Sequence, residues 1–457
     1  MTKMELKLQK RSDGIPAPRG RALLRSLINF GRTPLEFSER CCQEYDELVD
    51  LSIGSSKFYL FNHPHLIAEV LSRHQDSVKD YSYRALEYVL GNGIFLNHGA
   101  TWKHNRRLMQ SAFDRDRFAA YAEQMVADTS LMLDSWQVGE VRQLHREMSV
   151  LTVKIIMQTM FGVDARETAA EITAALDTIM LQYFHQAKTF FILPNWLPTL
   201  GNWRANQAKN RLNSIVETVI KRRRGLPGVG NDLLSTLLNA QDNNSQPLSD
   251  RQIRDEVMTL LIAGHETTAN AITWTLMLLA QNPEAEKKLV TEIKSVVGDR
   301  LPTINDVVQL PYAKMVIQES MRLYPPAWIL GRELIRDCNI GGYDFPRGAV
   351  IYFSQWAVHR SARWYDEPEK FNPDRWTDNL EQHLPRCAYF PFGAGARACI
   401  GKAFSLIETT IVLTMMLQKF RLTLVSPDSI ELLPSLTLRP KQGVKMRIIS
   451  RDAERVL

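Results

Sequence analysis

The segment Phe392-Gly393-Ala394-Gly395-Ala396-Arg397-Ala398-Cys399-Ile400-Gly401 sets one cysteine in a glycine-rich loop that leads directly into an apolar, helical stretch. Glycines in such a loop let the backbone adopt positive φ and lie flat against a planar group, which a β-carbon would obstruct. A helix that starts at 400–402 points free N–H groups and the positive end of its dipole at the sulfur, which favours the thiolate. The segment therefore predicts a thiolate ligand.

A haem iron suits such a thiolate, because a thiolate ligand pushes electron density toward iron-bound oxygen and favours cleavage of the O–O bond. Taken alone, the segment leaves open the alternative of a buried structural cysteine on a glycine-rich turn. Two further groups of residues favour the iron ligand.

The second group lies in the middle of a long predicted helix. The capping-box signature Ser249-x-x-Gln252 and the stop at Asn282-Pro283 predict about 30 helical residues, or roughly 45 Å. The interior of this helix carries Ala263-Gly264-His265-Glu266-Thr267-Thr268, although glycine alone costs about 1 kcal/mol there. A threonine hydroxyl bonded to the carbonyl four residues earlier would bend the helix and open a notch beside Gly264, where Glu266 and Thr267 could relay protons to bound oxygen. A kink that serves packing alone is the alternative.

The third group would join a helix to the segment that precedes the cysteine loop. Glu319 and Arg322 share one face of a helix that ends before Tyr324-Pro325-Pro326, and Phe371-Asn372-Pro373-Asp374-Arg375-Trp376 supplies a second arginine, Arg375. A carboxylate held by two guanidinium groups would lock the loop against the helix. We expect a structural clamp, not a catalytic group.

Composition indicates a globular protein. The chain has 457 residues, 45% hydrophobic and 23% charged. Its net charge of +6 suggests an acidic partner surface, while no arginine run with interleaved aromatic residues indicates nucleic-acid binding. The five cysteines fit neither a disulfide framework nor a Cys-x-x-Cys metal site, which favours a reducing, cytoplasmic compartment. The N-terminal segment 1–20 is basic and proline-rich, without the apolar run of a signal peptide or membrane anchor.

Hydrophobic periodicity predicts a chain dominated by helices. One or two strands are expected in the segment 48–60 around Gly54, and short strands between 339 and 353. The predicted helices cover 101–113, 118–133, 152–161, 203–224, 249–280 and 283–297.

Together these patterns resemble the cytochrome P-450 superfamily of haem-thiolate enzymes, over nearly the whole chain. Phe-x-x-Gly-x-Arg-x-Cys-x-Gly is matched without a gap from Phe392 to Gly401, and Glu319-x-x-Arg322 with Arg375 is similar to the family's Glu-x-x-Arg pair and its third member. Ala263-Gly264-x-Glu266-Thr267 is similar to the oxygen-activation segment, and Trp102-x-x-x-Arg106 to a propionate-binding pair. The resemblance implies a mainly α fold with small β-sheets (α+β), a long central helix over the haem and the cysteine loop on its proximal side, in a single domain, 1–457.

The resemblance also implies a role for each matched residue. Cys399 would bind the iron of haem b, and Phe392 would shield its sulfur. Glu266 and Thr267 would deliver protons for O–O cleavage. The other residues expected at the haem are Trp102, Arg106, Ala263, Arg332, Gly393, Arg397 and Gly401.

An apolar substrate pocket is implied as well. A lipophilic substrate follows, such as a fatty acid, an alkane or a terpenoid. The stretch 190–197 would line the access channel, with transient contact to a membrane surface as an alternative role. The expected wall residues are Leu90, Phe95, Phe190, Phe191, Trp196, Ile262, Ala263, Trp328, Ile329 and Leu436.

The implied enzyme is a cytoplasmic, monomeric monooxygenase that uses O2 and two electrons. The electrons would come ultimately from NAD(P)H, through a ferredoxin or flavodoxin with its reductase. A basic face would steer this acidic carrier. Two alternatives are a peroxygenase or peroxide isomerase on the same fold, and a haem sensor or electron carrier without turnover; the retained Glu266 and Thr267 argue against both. The expected basic face comprises Lys103, Arg106, Arg107, Arg386 and Lys402.

Overall fold

The computed structural model of the protein describes residues 9–10, 14–18, 30–188, 197–225, 230, 232–242, 246–427 and 430–451. The predicted wall residues Phe190, Phe191 and Trp196, and with them most of the predicted membrane-contact stretch, lie outside these ranges. Within the ranges the fold is mainly helical with several small sheets, which confirms the predicted class.

The helices are given in chain order. The α-helices are α1 (Pro34–Glu44), α2 (Pro64–Ser72), α3 (Tyr81–Arg84), α4 (Glu87–Leu90), α5 (Gly99–Gln110), α6 (Phe118–Asp134), α7 (Leu144–Phe161), α8 (Ala169–Lys188), α9 (Leu200–Arg224), α10 (Leu233–Asn239), α11 (Asp250–Gln281), α12 (Pro283–Val296), α13 (Ile304–Val307), α14 (Pro311–Leu323), α15 (Gln355–Val358), α16 (Leu380–His383) and α17 (Lys402–Lys419). Short 3-10 turns cover Ser111–Phe113, Arg115–Arg117, Pro373–Asn379 and Gly395–Arg397.

The strands form small sheets around this helical body. The strands are β1 (Gln9–Lys10), β2 (Pro16–Ala17), β3 (Leu48–Asp50), β4 (Phe58–Phe61), β5 (Ser77–Val78), β6 (Val141–Gln143), β7 (Leu330–Leu334), β8 (Cys338–Ile340), β9 (Tyr343–Phe345), β10 (Val350–Phe353), β11 (Phe420–Leu424), β12 (Leu432–Pro434), β13 (Leu438–Pro440) and β14 (Lys445–Ser450). The five-stranded sheet has the order β3-β4-β10-β7-β5, in which β10 runs parallel to β4 and antiparallel to β7. A three-stranded sheet has the order β11-β14-β6, and β1–β2, β8–β9 and β12–β13 are antiparallel pairs.

Helix α11, the central helix, has 32 residues and crosses the core. Its predicted capping box is present, since the Ser249 hydroxyl accepts the Gln252 N–H at 3.3 Å and the Gln252 side-chain oxygen accepts the Ser249 N–H at 2.9 Å. The helix packs along α7 and also touches α9, α14 and α17. Surrounded in this way, it buries apolar side chains on several faces, Trp274 among them. Within the described part of the chain, every helix is too short or too polar to span a bilayer.

Several element boundaries differ from prediction. Helix α7 begins at Leu144, whereas the sequence predicted a start at residue 152. The prediction missed the first turns because the helix is buried on nearly all sides and mixes His145 and Ser149 with apolar residues, which hides the 3.6-residue period. Helices α2 and α8 were not predicted. The strands around Gly54 were predicted correctly: β3 and β4 pair across a turn in which this glycine has φ +55°.

Candidate active site

The cysteine loop has the backbone that its glycines predict. Gly393 and Gly395 have φ of +68° and +69°, a region that glycine enters without steric penalty. A β-carbon on Gly395 would lie 2.1 Å from the carbonyl oxygen of Leu71, in the last turn of α2. The loop closes on itself, since the Cys399 N–H donates to the Phe392 carbonyl at 2.9 Å. The loop is therefore held at a fixed position beside α2.

The Cys399 side chain is exposed, and burial by the surrounding groups is nevertheless the largest influence on its thiol and raises its pKa. The Gly401 N–H, Arg106 and Lys402 act in the opposite direction. The sequence predicted that the helix start would favour the thiolate. The Gly401 N–H at the helix start has this predicted effect, although burial outweighs it and the two cations.

The expected propionate residues gather beside this loop. The Arg397 guanidinium lies 4.1 Å from the centroid of the Trp102 ring and donates to the Asn97 carbonyl at 2.9 Å. Arg106, one turn after Trp102 on α5, donates to the Ala398 carbonyl at 2.8 Å. These two arginines thus link the cysteine loop with α5 and with the residues just before it.

Lys79 and Arg332 extend this group to a cluster of four cations. Burial lowers the pKa of Arg332, burial followed by Arg332 lowers the pKa of Lys79 well below its usual value, and burial together with Arg332 and Arg106 lowers the pKa of Arg397 to about 10. Sequence reasoning missed Lys79, whose ammonium lies 3.8 Å from the Phe95 ring centroid. No local motif marks it, since its neighbours come from distant parts of the chain.

The donor set fits a haem. Four partly or fully buried cations repel one another, and Asp80 is the anion that acts on Lys79 and Arg332. Buried charges need compensation, which the two propionates of a haem would supply. The Cys399 sulfur offers a ligand of the type that haem-thiolate proteins use, and coordination to a metal deprotonates a thiol.

The middle of the central helix opens at Ala263. The Thr267 hydroxyl donates to the Ala263 carbonyl at 2.7 Å, the back-bond that the sequence predicted. Ala263 is exposed although Ile262 beside it is buried. The notch was expected beside Gly264, but a β-carbon there would lie 2.3 Å from the Ile156 side chain of α7. Gly264 therefore serves close helix packing, and the open face lies one residue earlier.

Glu266 is buried, with 3% of its surface exposed. Its Oε1 accepts from the Thr437 hydroxyl at 2.8 Å and from Arg439 Nη1 at 3.3 Å. Thr437 lies in the turn between β12 and β13, and Arg439 lies on β13. Sequence reasoning missed both as partners of the acid; an arginine in a short apolar hairpin was the available signal.

Two cavities share Ile329 as a wall residue, and the inner one borders the central helix. The inner cavity offers about 110 Å³ to the centres of water molecules, and the outer cavity about 170 Å³. Trp328 was predicted in the same wall as the others but lines the outer cavity, where its indole N–H donates to the Ser435 carbonyl at 2.8 Å. Ile329 borders both. The predicted residues that line the inner cavity are Leu90, Phe95, Ile262, Ala263, Ile329 and Leu436, together with Glu266 and Thr267.

The carboxylate of Glu319 lies between two arginines, with both Glu319 and Arg322 fully buried. Arg322 donates to both of its oxygens, at 2.9 and 2.8 Å, and Arg375 Nε donates to Oε1 at 2.9 Å. Trp376 Nε1 and the Asn372 N–H complete the shell, each at 2.9 Å. Five donors on one carboxylate thus tie α14 to the segment before the cysteine loop.

The residues expected on a basic face are mostly exposed. Lys103 and Arg107 lie on α5, and Lys402 begins α17. Arg106 is half-buried through its bond to the loop. Arg386 is exposed and lies against α2.

Comparison with known proteins identifies the family to which the chain belongs. The Cytochrome P450 family profile matches residues 16–447. Cyclooctat-9-en-7-ol 5-monooxygenase of Streptomyces melanosporofaciens is 33% identical, with 89% of each chain covered. Cyclooctatin synthase of the same organism is 34% identical over 92% of this chain and 93% of its own, and pentalenene oxygenase of Streptomyces avermitilis is 33% identical over 87% and 88%. The chain therefore belongs to the cytochrome P450 family and is a cytochrome P450 monooxygenase.

Proposed function

We propose that the protein hydroxylates or epoxidises a terpenoid hydrocarbon or a terpenoid alcohol. As a cytochrome P450 monooxygenase it uses haem, O2, a small organic substrate and a redox partner. The observation that carries the proposal is the inner cavity, whose walls are mainly aliphatic and aromatic. Its polar wall residues are Lys79, Thr259, Glu266, Thr267 and Thr437. Such walls favour a hydrocarbon skeleton by the hydrophobic effect. The names of the bacterial relatives support a terpenoid over a fatty acid or an alkane.

In this proposal Cys399 binds the haem iron, with Phe392, Gly393 and Gly401 beside it. Bound haem supplies the binding and reductive activation of O2. The chain supplies the counter-charges: Lys79, Arg106, Arg332 and Arg397 hold the propionates, with Trp102 stacked on the last of these arginines. The mutual repulsion of these cations supports this role, because a dianionic partner removes it. Ala263, with its small side chain, leaves the inner cavity open at the middle of α11.

Glu266 and Thr267 divide the proton chemistry between them. The Thr267 hydroxyl donates its hydrogen to the Ala263 carbonyl, so its oxygen would accept a hydrogen bond and hold a water molecule in the inner cavity. Glu266 then is the residue that releases and regains a proton, as a general acid does.

The clamp around Glu319 has a structural role in the proposal. Arg322 and Arg375 also donate to carbonyls of the segment 366–370, at 2.6–3.3 Å. Because this segment leads into the cysteine loop, the clamp keeps the sulfur at its position relative to α14.

The electrons come, in our proposal, from NAD(P)H through a ferredoxin or flavodoxin. The exposed cations Lys103, Arg107 and Lys402 form the docking face for this acidic carrier. The protein acts as a single-domain monomer, and the cytoplasm is where these carriers and NAD(P)H meet it.

Substrate binding tests the proposal directly. The holoenzyme is titrated with terpenoid hydrocarbons, terpenoid alcohols, alkanes and fatty acids, and the shift of the haem from low to high spin is recorded. We expect saturable shifts with the terpenoids and an oxygenated terpenoid as product when NAD(P)H, carrier and reductase are added. Shifts with fatty acids alone, or product formed only with hydrogen peroxide, would contradict it.

Thr267→Ala tests the proton chemistry. We expect product per NAD(P)H to fall by about tenfold, with peroxide released in its place. The variant loses the hydroxyl oxygen that holds the water molecule, and one lost hydrogen bond of about 1–1.5 kcal/mol corresponds to roughly tenfold. Thr268→Ala is the matched control, since that hydroxyl bonds Ser405 of α17 at 3.2 Å and lies away from the inner cavity. Full coupling in Thr267→Ala would remove the role assigned to Thr267.

A further inference from the structure

Arg439 connects the acid of the central helix with a carboxylate at the protein surface. Its Nη1 donates to Glu266 Oε1 at 3.3 Å, and its Nη2 donates to Asp177 Oδ1 on α8 at 2.8 Å. Asp177 has 47% of its side chain exposed, whereas Glu266 has 4%. The guanidinium is thus held from both sides, and its geometry toward Glu266 is set by a partner that solvent can reach.

A chain of hydrogen bonds reaches the same oxygen from the other side. His145 Nε2 lies 2.9 Å from Asn270 Oδ1, the Asn270 amide donates to the Thr437 hydroxyl at 3.2 Å, and that hydroxyl donates to Glu266. Burial, followed by Arg439, lowers the pKa of His145 to about 4. The histidine is therefore neutral at pH 7 with its hydrogen on Nε2, and each donor in the chain points toward Glu266.

The directions of these bonds decide which carboxyl oxygen can carry a proton. Glu266 Oε1 accepts from two donors, and a hydrogen of its own there would compete with both. Oε2 is buried and has no hydrogen-bond partner within the described residues. A protonated Glu266 therefore has its carbonyl character at Oε1 and its hydroxyl at Oε2.

We propose that Arg439 is a positioning residue that, with Thr437, holds Glu266 by Oε1 and thereby keeps its acidic hydrogen on Oε2. The inference rests on the proposed function, in which Glu266 delivers protons at the inner cavity. Without the hydrogen bonds from Arg439 and Thr437, neither oxygen of Glu266 is held in place, and either one can carry the hydrogen. A purely structural role, in which Arg439 joins α8 to β13, is the reading to be tested against it.

The first measurement needs no turnover. Infrared spectra of the resting holoenzyme are recorded at low pH for each protein and for the same protein carrying Glu266→Gln, and their difference isolates the carbonyl band of Glu266. Two hydrogen bonds to Oε1 weaken its C=O bond. We expect Arg439→Met to move the band to higher wavenumber, Arg439→Lys to restore part of the shift, and Thr437→Val, which removes the other donor, to move it in the same direction.

The second measurement is product per NAD(P)H with a terpenoid substrate. We expect a several-fold fall for Arg439→Met, with peroxide in its place, and partial rescue by Arg439→Lys. Arg211→Met is the matched control, since Arg211 pairs with Glu171 of α8 and touches no residue of the inner cavity. That variant should keep both the band and the yield.

The outcomes separate the two proposals. An unchanged band in both Arg439→Met and Thr437→Val, or a loss of yield no greater than in Arg211→Met, overturns the positioning role. A shifted band in a wild-type protein that oxygenates no terpenoid would leave the positioning of Glu266 supported and refute the proposed function. Should Arg439→Met fail to fold, Thr437→Val decides by the band alone.

Discussion

Replacing Glu319 by glutamine removes the charge of the clamp and keeps its volume. The carboxylate accepts five hydrogen bonds, three of them from Arg322 and Arg375, and is 0% exposed. Glutamine can accept at one atom only and turns an N–H2 group toward a guanidinium. The variant leaves Arg322, itself 0% exposed, without a counter-charge. Breaking a buried pair in this way costs about 3–5 kcal/mol, so the folding equilibrium should shift by at least about a hundredfold.

Urea unfolding, followed by tryptophan fluorescence, measures this loss, and haem absorbance per protein reports whether the cysteine loop still assembles. Glu367→Gln is the matched control. Glu367 pairs with Lys370 in the same segment, but the two side chains are 68% and 60% exposed, and such a pair contributes about 0–1 kcal/mol. We expect haem content to fall in Glu319→Gln alone. Equal unfolding midpoints and haem contents for the two variants would refute the clamp.

Three further predictions concern single positions. Gly395→Ala should reduce haem content, because its β-carbon would lie 2.1 Å from a carbonyl; Gly342→Ala, at φ +84° with nothing within 4 Å, controls for the strain of positive φ, and equal losses would contradict the steric argument. Burial raises the pKa of Glu256 to about 7 from 4.5. The folded chain thus binds a proton that the unfolded chain has lost, so this group's stabilisation falls as pH rises toward 7. Between pH 5 and pH 8, the free energy of unfolding measured in urea should therefore fall by roughly 2–3 kcal/mol less in Glu256→Gln than in wild type. Parallel pH profiles of the two proteins would contradict this. Lys402→Glu should slow reduction by the acidic carrier at low salt, with Lys445→Glu on β14 as the control, and equal rates would exclude the docking face.

Sequence reasoning succeeded where the constraint is local. The capping box of the central helix, the back-bond from Thr267 and the positive φ of Gly393 and Gly395 each depend on a few neighbouring residues. Pattern reading also brought Glu319 and Arg375 together, because a stop signal and a proline-bounded turn mark both partners. Such features can be predicted from the sequence because the interactions that determine them lie between residues a few positions apart or are marked by a local motif.

It failed where tertiary contacts decide. Arg439 meets Glu266 across the fold, and Lys79 joins Arg332 and Arg397 only after three separate segments come together. Gly264 looked like part of a notch, but the Ile156 side chain on α7 sets its size. Arg439 and Glu266, like Ile156 and Gly264, are far apart in the sequence, and Lys79 reaches Arg332 only because β5 pairs with β7. Periodicity and motif spacing therefore do not identify these pairs.

The pKa of the Cys399 thiol connects folding with cofactor binding. A helix start and two cations do favour a thiolate, but burial outweighs them and raises the pKa of the thiol. The same balance holds for Lys79 and Arg397, whose charged forms burial disfavours. Each of these groups opposes folding while it stands alone and gains a partner when an iron porphyrin with two carboxylates binds. In the proposed site the haem therefore stabilises the folded chain, because it binds the folded form more tightly than the unfolded form. The side chains whose charged forms burial disfavours are the ones that its iron and carboxylates would pair with.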